Sequence, residues 1–428
     1  MKKIVCIVTC LALCHCVTIS YAQLNKLKNK AKEKIDKPDN KTTQPQNERE
    51  TTVATDNTIG TPNTATNSGM GNQSLEIYSK YDFVPGDKVM AFEDFNQTEI
   101  GDFPARWNTN ATAEVVTTSA RPGKWMKINK EGVFHPEFIT SIPDNFTLEF
   151  DLGVNPDWNS MPLVINITNL KTPAEYTDYY HFVTWKGTHT IHMEFQPAKV
   201  DLRSGNSNLI AGRDGNHLVN NDVEYKSWDN ATKNFAHIAL WRQNKRLRVY
   251  LNGEKIWDVQ NVFDPQSKYN AITFAMQGSY KLDDYFLFSN LRLAGGAPDT
   301  RNKLFKDKKF VTRGIHFNPN SDEIKPESFG TLREIGNILK DSLVGIKIIG
   351  HTDGDGDDKL NLDLSKRRAA AVKDYLVKNY GLASDNIEID GKGENIPVDK
   401  NTTQEGKANN RRVEFVTLPI TVKPTPKN

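Results

Sequence analysis

Cysteine is nearly absent from this chain: 428 residues contain four, and Cys6, Cys10, Cys14 and Cys16 all lie near the start. If that segment is removed on export, no disulfide or thiolate metal site is left, and stability must come from packed cores. Long apolar runs are also lacking. Residues 4–17 fall short of the about 20 residues a membrane-spanning helix needs, and no later run is long enough. A dominant charge is missing too: 55 Lys plus Arg face 53 Asp plus Glu. Without Lys2 and Lys3 the balance is 53 against 53, which argues against a dedicated nucleic-acid binder. No strand carries the paired carboxylates of a glycosidase. The nine histidines, His189 and His192 among them, show no metal-site spacing joined to carboxylates or cysteines. No catalytic residue, metal or cofactor is therefore expected.

What is present begins with Lys2 and Lys3, an apolar stretch, and Ser20-Tyr21-Ala22, the small-x-small pattern of a cleavable signal peptide over residues 1–22. Leu13 precedes Cys14 and His15 precedes Cys16, so neither cysteine has the small preceding residue that lipidation wants. Residues 23–77 are rich in Lys, Asn, Thr, Gln and Pro and cannot bury enough surface to offset chain entropy, so a disordered tether is expected. Its first part, residues 24–35, reads either as a basic helix on an anionic membrane surface or as a solvated linker.

Residues 78–295 change texture to short aromatic and β-branched runs, such as 146–150 and 161–167, between Gly, Pro, Asn and Asp clusters. This is the pattern of an antiparallel β-sandwich. Residues 237–242 and 246–251 read as a hairpin ending at Asn252-Gly253, with Leu247, Val249 and Leu251 buried and Arg246, Arg248 and Tyr250 on a wet face. Glu149 and Asp151 alternate onto one face as solvated acids. Trp125, Trp185, Trp241 and Trp257 either stack on a sugar ring or pack in the core. The stretch Tyr250-Leu251-Asn252-Gly253-Glu254-Lys255 and residues 285–293 resemble laminin-G or concanavalin-like sandwiches, which implies a glycan or protein partner.

After a linker over 295–301, residues 303–418 alternate again, and 419–428 read as a flexible tail. Strands are expected at 309–317, 344–350, 386–390 and 411–418, with helices at 326–341 and 364–380. Phe329, Leu332, Ile335 and Leu339 form the inward stripe of the first helix; Val372, Tyr375 and Leu376 face inward on the second, and Gly381 stops it. The order β-α-β-α-β-β makes this part α+β, with helices on one face of a mixed sheet, so the whole chain is multidomain.

Five motifs then occur in order: Gly350-His351-Thr352-Asp353; Asn361 with Leu364-Ser365-x-x-Arg368-Ala369; Val372 with Tyr375-Leu376; Gly391-x-Gly393-Glu394-x-x-Pro397; and Asn410-Arg411-Arg412-Val413-Glu414. Together they resemble the OmpA-like C-terminal domain. The resemblance implies a non-enzymatic protein of the periplasm or cell outer membrane that grips peptidoglycan through the diaminopimelate of the stem peptide. That ligand ends in an ammonium beside a carboxylate. The family pattern gives Asp353 the ammonium and Arg368 the carboxylate, held as a bidentate fork. Thr352, Asn361, Leu364 and Arg412 occupy positions that line or brace the pocket, Arg412 equally suited to either, and Phe317 and Asn318 close its other side. His351 is expected to be a packed structural group.

The loop Asp353-Gly354-Asp355-Gly356-Asp357-Asp358 is more acidic than the family pattern, but a twelve-residue calcium loop would need Glu where Leu364 stands. An alternative for residues 78–294 is an outer-membrane β-barrel; Arg246, Arg248 and Lys255 would interrupt its lipid-facing band. A flagellar-motor-type stator would need an uncleaved membrane helix carrying an acid, and none is visible.

Overall fold

The computed structural model describes residues 81–419, apart from 173–174, 176–177, 179–188, 201, 214–215, 279–282, 297–299 and 343. The expected signal peptide, the whole tether, Trp185 and nearly all of the tail lie outside the described residues. All described residues belong to one compact unit, 75–428.

Two antiparallel sheets form the N-terminal part. The first is built around the neighbouring strands Phe235–Gln243, Asn145–Val154 and Phe286–Gly295, with Lys88–Glu93 paired to Phe286–Gly295. The second is centred on Leu163–Thr168 and Ala271–Met276. Their inward residues share one core: Phe150 stacks on Phe288 at 5.5 Å within the first sheet, and Phe274 of the second approaches Phe288 at 4.7 Å. Both are open sheets among the described residues, with their apolar side chains turned inward, which does not match the barrel alternative. The Asn252-Gly253 turn has φ of 48° and 82°, the double positive that a two-residue I′ turn requires.

Two expectations for this part fail for one reason: its outer face is covered. Tyr250 is only 1% exposed because Tyr81 and Phe83 pack on it edge-on at 5.5 Å, making a second small core with Ala239 and Trp241. Glu149 is not solvated either; it is buried and bonded to Arg292 at 2.6 Å. Trp125, Trp241 and Trp257 are buried in packing contacts.

The C-terminal sheet runs Lys309–Thr312, Arg412–Leu418, Gly345–His351, Ile387–Gly391, antiparallel except for the last pair. Helices Phe329–Lys340 and Asp358–Tyr380 bury Leu332, Ile335, Leu339, Ala369, Val372 and Leu376 over it. The second helix starts six residues before the expected 364, because Asp357 caps it by accepting from the Lys359 and Leu360 amides; Gly381, at φ 67°, ends it. The first strand stops at Thr312, not 317. The expected helix at 326–341 opens with a tight 3₁₀ turn, Pro326–Ser328, and Phe329 leaves the inward stripe to stack on Tyr375 at 5.4 Å. Two short helices, Thr300–Lys306 and Gln404–Asn410, add to the expected order, the former beginning inside the expected linker.

Part of the docking between the two parts runs through residues 81–106. The Asn409 side chain both accepts from and donates to the Val89 backbone at 3.0 Å, and Arg106 pairs with Glu405 at 2.6 Å. Gly330 is needed here, since a Cβ would lie 2.1 Å from the Phe83 carbonyl oxygen.

Candidate functional site

The site forms where strand Gly345–His351 ends and helix Asp358–Tyr380 begins. Gly350 lets strand and helix approach: a Cβ there would meet the Ser365 carbonyl oxygen at 2.1 Å. That contact brings the loop bearing Thr352 and Asp353 beside the helical turn bearing Arg368. Thr352 is buried, its amide bonded to the Gly393 carbonyl at 3.0 Å. Asn361 is also buried, donating to Glu394 at 2.6 Å and to the Asp355 carbonyl at 2.9 Å, so it staples the loop rather than presenting its amide outward. Leu364 is half-buried on the same helix.

Arg368 is held by a shelf from the preceding segment. Its Nε donates to the Ser321 carbonyl at 2.9 Å and a terminal nitrogen to the Asn318 carbonyl at 3.4 Å, and Phe317 lies against it with the ring centroid 4.9 Å away. Burial pulls its pKa down to about 10, Arg411 and Arg367 adding to the effect and Asp353 opposing it. Asp353 thus sits close enough to be felt, but its bonded partner is Arg411. In the sequence Arg411 stood out only as a member of the Asn410-to-Glu414 motif, which did not reveal this pairing. Among the described residues Arg368 has no bonded carboxylate.

Arg412 is a brace. It is buried, bonded to Glu414 at 2.9 and 3.0 Å and to the Ile396 carbonyl at 3.0 Å. His351 is packed beside it, 3.4 Å from Glu414. The acidic loop is largely committed: Asp357 caps the helix and Asp355 pairs with Lys407 at 2.7 Å.

Arg368, Phe317 and Arg411 also line a cavity of about 170 Å³, whose far wall comes from the first sheet and includes Phe92 and Arg292. Phe92 lies over the Arg411 guanidinium at 5.0 Å. The N-terminal part therefore contributes to the surroundings of the site, which sequence motifs confined to one region could not indicate.

Residues 316–411 match the OmpA family model. Outer membrane porin F of Pseudomonas aeruginosa is 38% identical over 105 residues, 24% of this chain and 30% of that protein. The outer-membrane lipoprotein YfiB of the same organism is 37% identical over 103 residues, 24% of this chain and 61% of that protein. Peptidoglycan-binding protein ArfA of Mycobacterium tuberculosis is 40% identical over 110 residues, 25% of this chain and 33% of that protein. Among solved structures, the cell wall anchor of the T6SS from Pseudomonas aeruginosa is 29% identical, covering 26% of this chain and 81% of that one, with a TM-score of 0.24. The chain spans less than two thirds of the length of these curated relatives, from 30% to 61%, and each alignment covers about a quarter of it. Residues 316–411 are an OmpA family domain.

Proposed function

We propose that this is a non-enzymatic, exported cell-envelope protein whose OmpA family domain holds peptidoglycan without a covalent bond, gripping the diaminopimelate head of the stem peptide. The observation that carries this reading is the state of Arg368. Its guanidinium is mostly desolvated, oriented by two carbonyl oxygens and an aromatic ring, and lacks a bonded carboxylate beside Asp353. A fork fixed in this way is ready to take a ligand carboxylate. Asp353 then takes the ammonium, exchanging Arg411 for the ligand. Phe317 and Asn318 form the Arg368 shelf, Thr352, Asn361 and Leu364 shape the loop and helix, and Arg412 holds the strand behind them. The relatives' names support the ligand class and the compartment: one is a peptidoglycan-binding protein and two belong to the outer membrane.

In this reading the chain comprises an export signal over 1–22, a tether over 23–77, a β-sandwich over 78–295 and the wall-binding domain over 303–418. The sandwich serves a glycan or protein partner. A cleft of about 910 Å³, with Arg121, Trp125, Asn234 and Asn252 in its lining, offers space for one.

The test is co-sedimentation of the full mature chain with insoluble peptidoglycan sacculi, for wild type, Asp353→Ala and Arg368→Ala. Pelleting by wild type and its loss in both variants supports the grip; a wild type that stays in the supernatant rejects it.

A further inference from the structure

Cations crowd the cavity of about 170 Å³ between the two parts. Arg292 of strand Phe286–Gly295, Arg313 just after strand Lys309–Thr312, Lys325, Arg368, Arg411 and Arg412 all line it. Acids answer only some of them. Arg411 pairs with Asp353, Arg412 with Glu414 and Arg292 with Glu149, while Asp151 is taken by His237 at 2.7 Å. Glu327 and Lys325, two residues apart in the lining, offset each other, which leaves Arg313 and Arg368 without an acid of their own. We infer that this cavity is a second carboxylate site, built from Arg313 and Arg292 across the interface, which takes the C-terminal carboxylate of the peptide whose diaminopimelate head is held at Arg368.

Three observations carry it. First, Arg313 has no carboxylate partner among the described residues. Its Nε donates to the Asn409 carbonyl at 3.0 Å and Nη1 to the Asp87 carbonyl, so two backbone oxygens fix the guanidinium without neutralising it. Burial pulls its pKa down to about 10, with Arg292 and Arg412 adding to the effect, and the group is still charged at neutral pH. A desolvated cation lacking a counter-anion is costly, and a bound carboxylate relieves that cost. Second, Arg292 is only 4% exposed, and its Nη2 is buried with no hydrogen-bond partner, because Nη1 alone holds Glu149 at 2.6 Å. A donor is thus left over on the opposite wall from Arg313. Third, the space fits and can be reached. One water needs about 10 to 15 Å³ of such volume, so the cavity admits a carboxylate with its flanking atoms. Asp151, His237, Asn290, Lys325 and Glu327 line both this cavity and the larger cleft, which gives an anion a way in.

The source of the carboxylate rests on the grip proposed for Arg368; the anion preference of the cavity does not. With both arginines filled, the peptide would touch the two-sheet region as well as the OmpA family domain, and binding would reinforce their docking.

The experiment has two arms, both on the full mature chain. In the first, the thermal unfolding midpoint is followed as sodium acetate replaces sodium chloride at constant ionic strength. Acetate should raise the midpoint of wild type and of Arg368→Ala by mass action. It should not move Arg313→Gln or the double variant Glu149→Leu with Arg292→Met, which removes the second donor without stranding an acid. Circular dichroism verifies that the variants are folded, and the double variant carries the comparison if Arg313→Gln is not. In the second arm, isothermal titration compares a muropeptide whose stem ends one residue beyond diaminopimelate with its C-terminal amide. Wild type should bind the acid about ten- to a hundredfold more tightly, the value of one charge-assisted hydrogen bond, and Arg313→Gln should bind both alike. An acetate effect with equal binding of acid and amide upholds the site but makes a free small acid its occupant. A muropeptide that fails to bind wild type rejects the grip at Arg368, while the acetate arm still decides the cavity. An acetate effect that is absent from wild type, or as large in the folded Arg313 and double variants, overturns the inference.

Discussion

Arg411 donates a hydrogen bond to the carboxylate of Asp353, and Phe92 of the two-sheet region covers that guanidinium at 5.0 Å. The proposed ligand ammonium must therefore compete with a cation of the protein itself. Arg411→Gln should tighten binding of sacculi. The gain is bounded by the pair's modest value, about 0 to 1 kcal/mol for a partly exposed bridge, or up to about fivefold in affinity. Sedimentation isotherms of wild type and Arg411→Gln on the same sacculi read the shift, and weaker binding by the variant would instead make Arg411 a direct ligand contact.

Removing either pole of the site costs more. A charge-assisted hydrogen bond contributes about 1.5 to 3 kcal/mol, so Asp353→Ala and Arg368→Ala should each weaken binding by roughly ten- to a hundredfold. Arg368→Lys should resemble Arg368→Ala more than wild type. An ammonium cannot span both carbonyls of the shelf and still fork onto a carboxylate. Isothermal titration with a diaminopimelate-containing muropeptide ranks the three.

The Glu149–Arg292 pair is buried on both sides and lies on the face covered by the OmpA family domain. Arg292→Met strands a buried carboxylate and should destabilise by about 3 to 5 kcal/mol, toward the lower end because His237 remains nearby. The double variant Glu149→Leu with Arg292→Met should recover much of that loss. Urea unfolding of the three proteins decides whether the penalty lies in the unpaired charge.

Gly330→Ala should loosen the docking of the two parts. The added methyl would sit 2.1 Å from the Phe83 carbonyl oxygen, and backbone on both sides leaves little room to move. A cost of about 1 to 3 kcal/mol is expected from such overpacking. Phe83 meets Trp241 edge-on at 6.2 Å, so a change in tryptophan fluorescence should accompany the lower unfolding midpoint.

Acid sensitivity should trace in part to Glu414. Burial pushes its pKa up, but His351, Lys309 and Arg412 more than offset this and hold it well below the usual value of 4.5. A carboxyl depressed in the folded state stabilises above its unfolded pKa, and that contribution is lost as pH falls through the folded one. Wild type should thus lose stability below about pH 4.5 more steeply than Glu414→Gln. Parallel pH slopes in urea midpoints would assign the effect to other carboxylates.

The sequence by itself determined what depends on local pattern. The alternation over residues 246–249, the Asn252-Gly253 turn and the Gly381 stop are near-neighbour effects, and the structure contains each of them. The motif run from Gly350 to Glu414 was equally legible, because Gly350 and Ser365 are constrained by a backbone approach that admits no larger residue at the glycine. Only the tertiary structure decided which charges meet. Arg411 on Asp353, Arg292 on Glu149, and Glu327 beside Asp151 and His237 join residues between 58 and 176 apart in the chain. No periodicity encodes such encounters, since they arise when the outer face of one sheet, polar by pattern and expected to be wet, is covered by another part of the same chain.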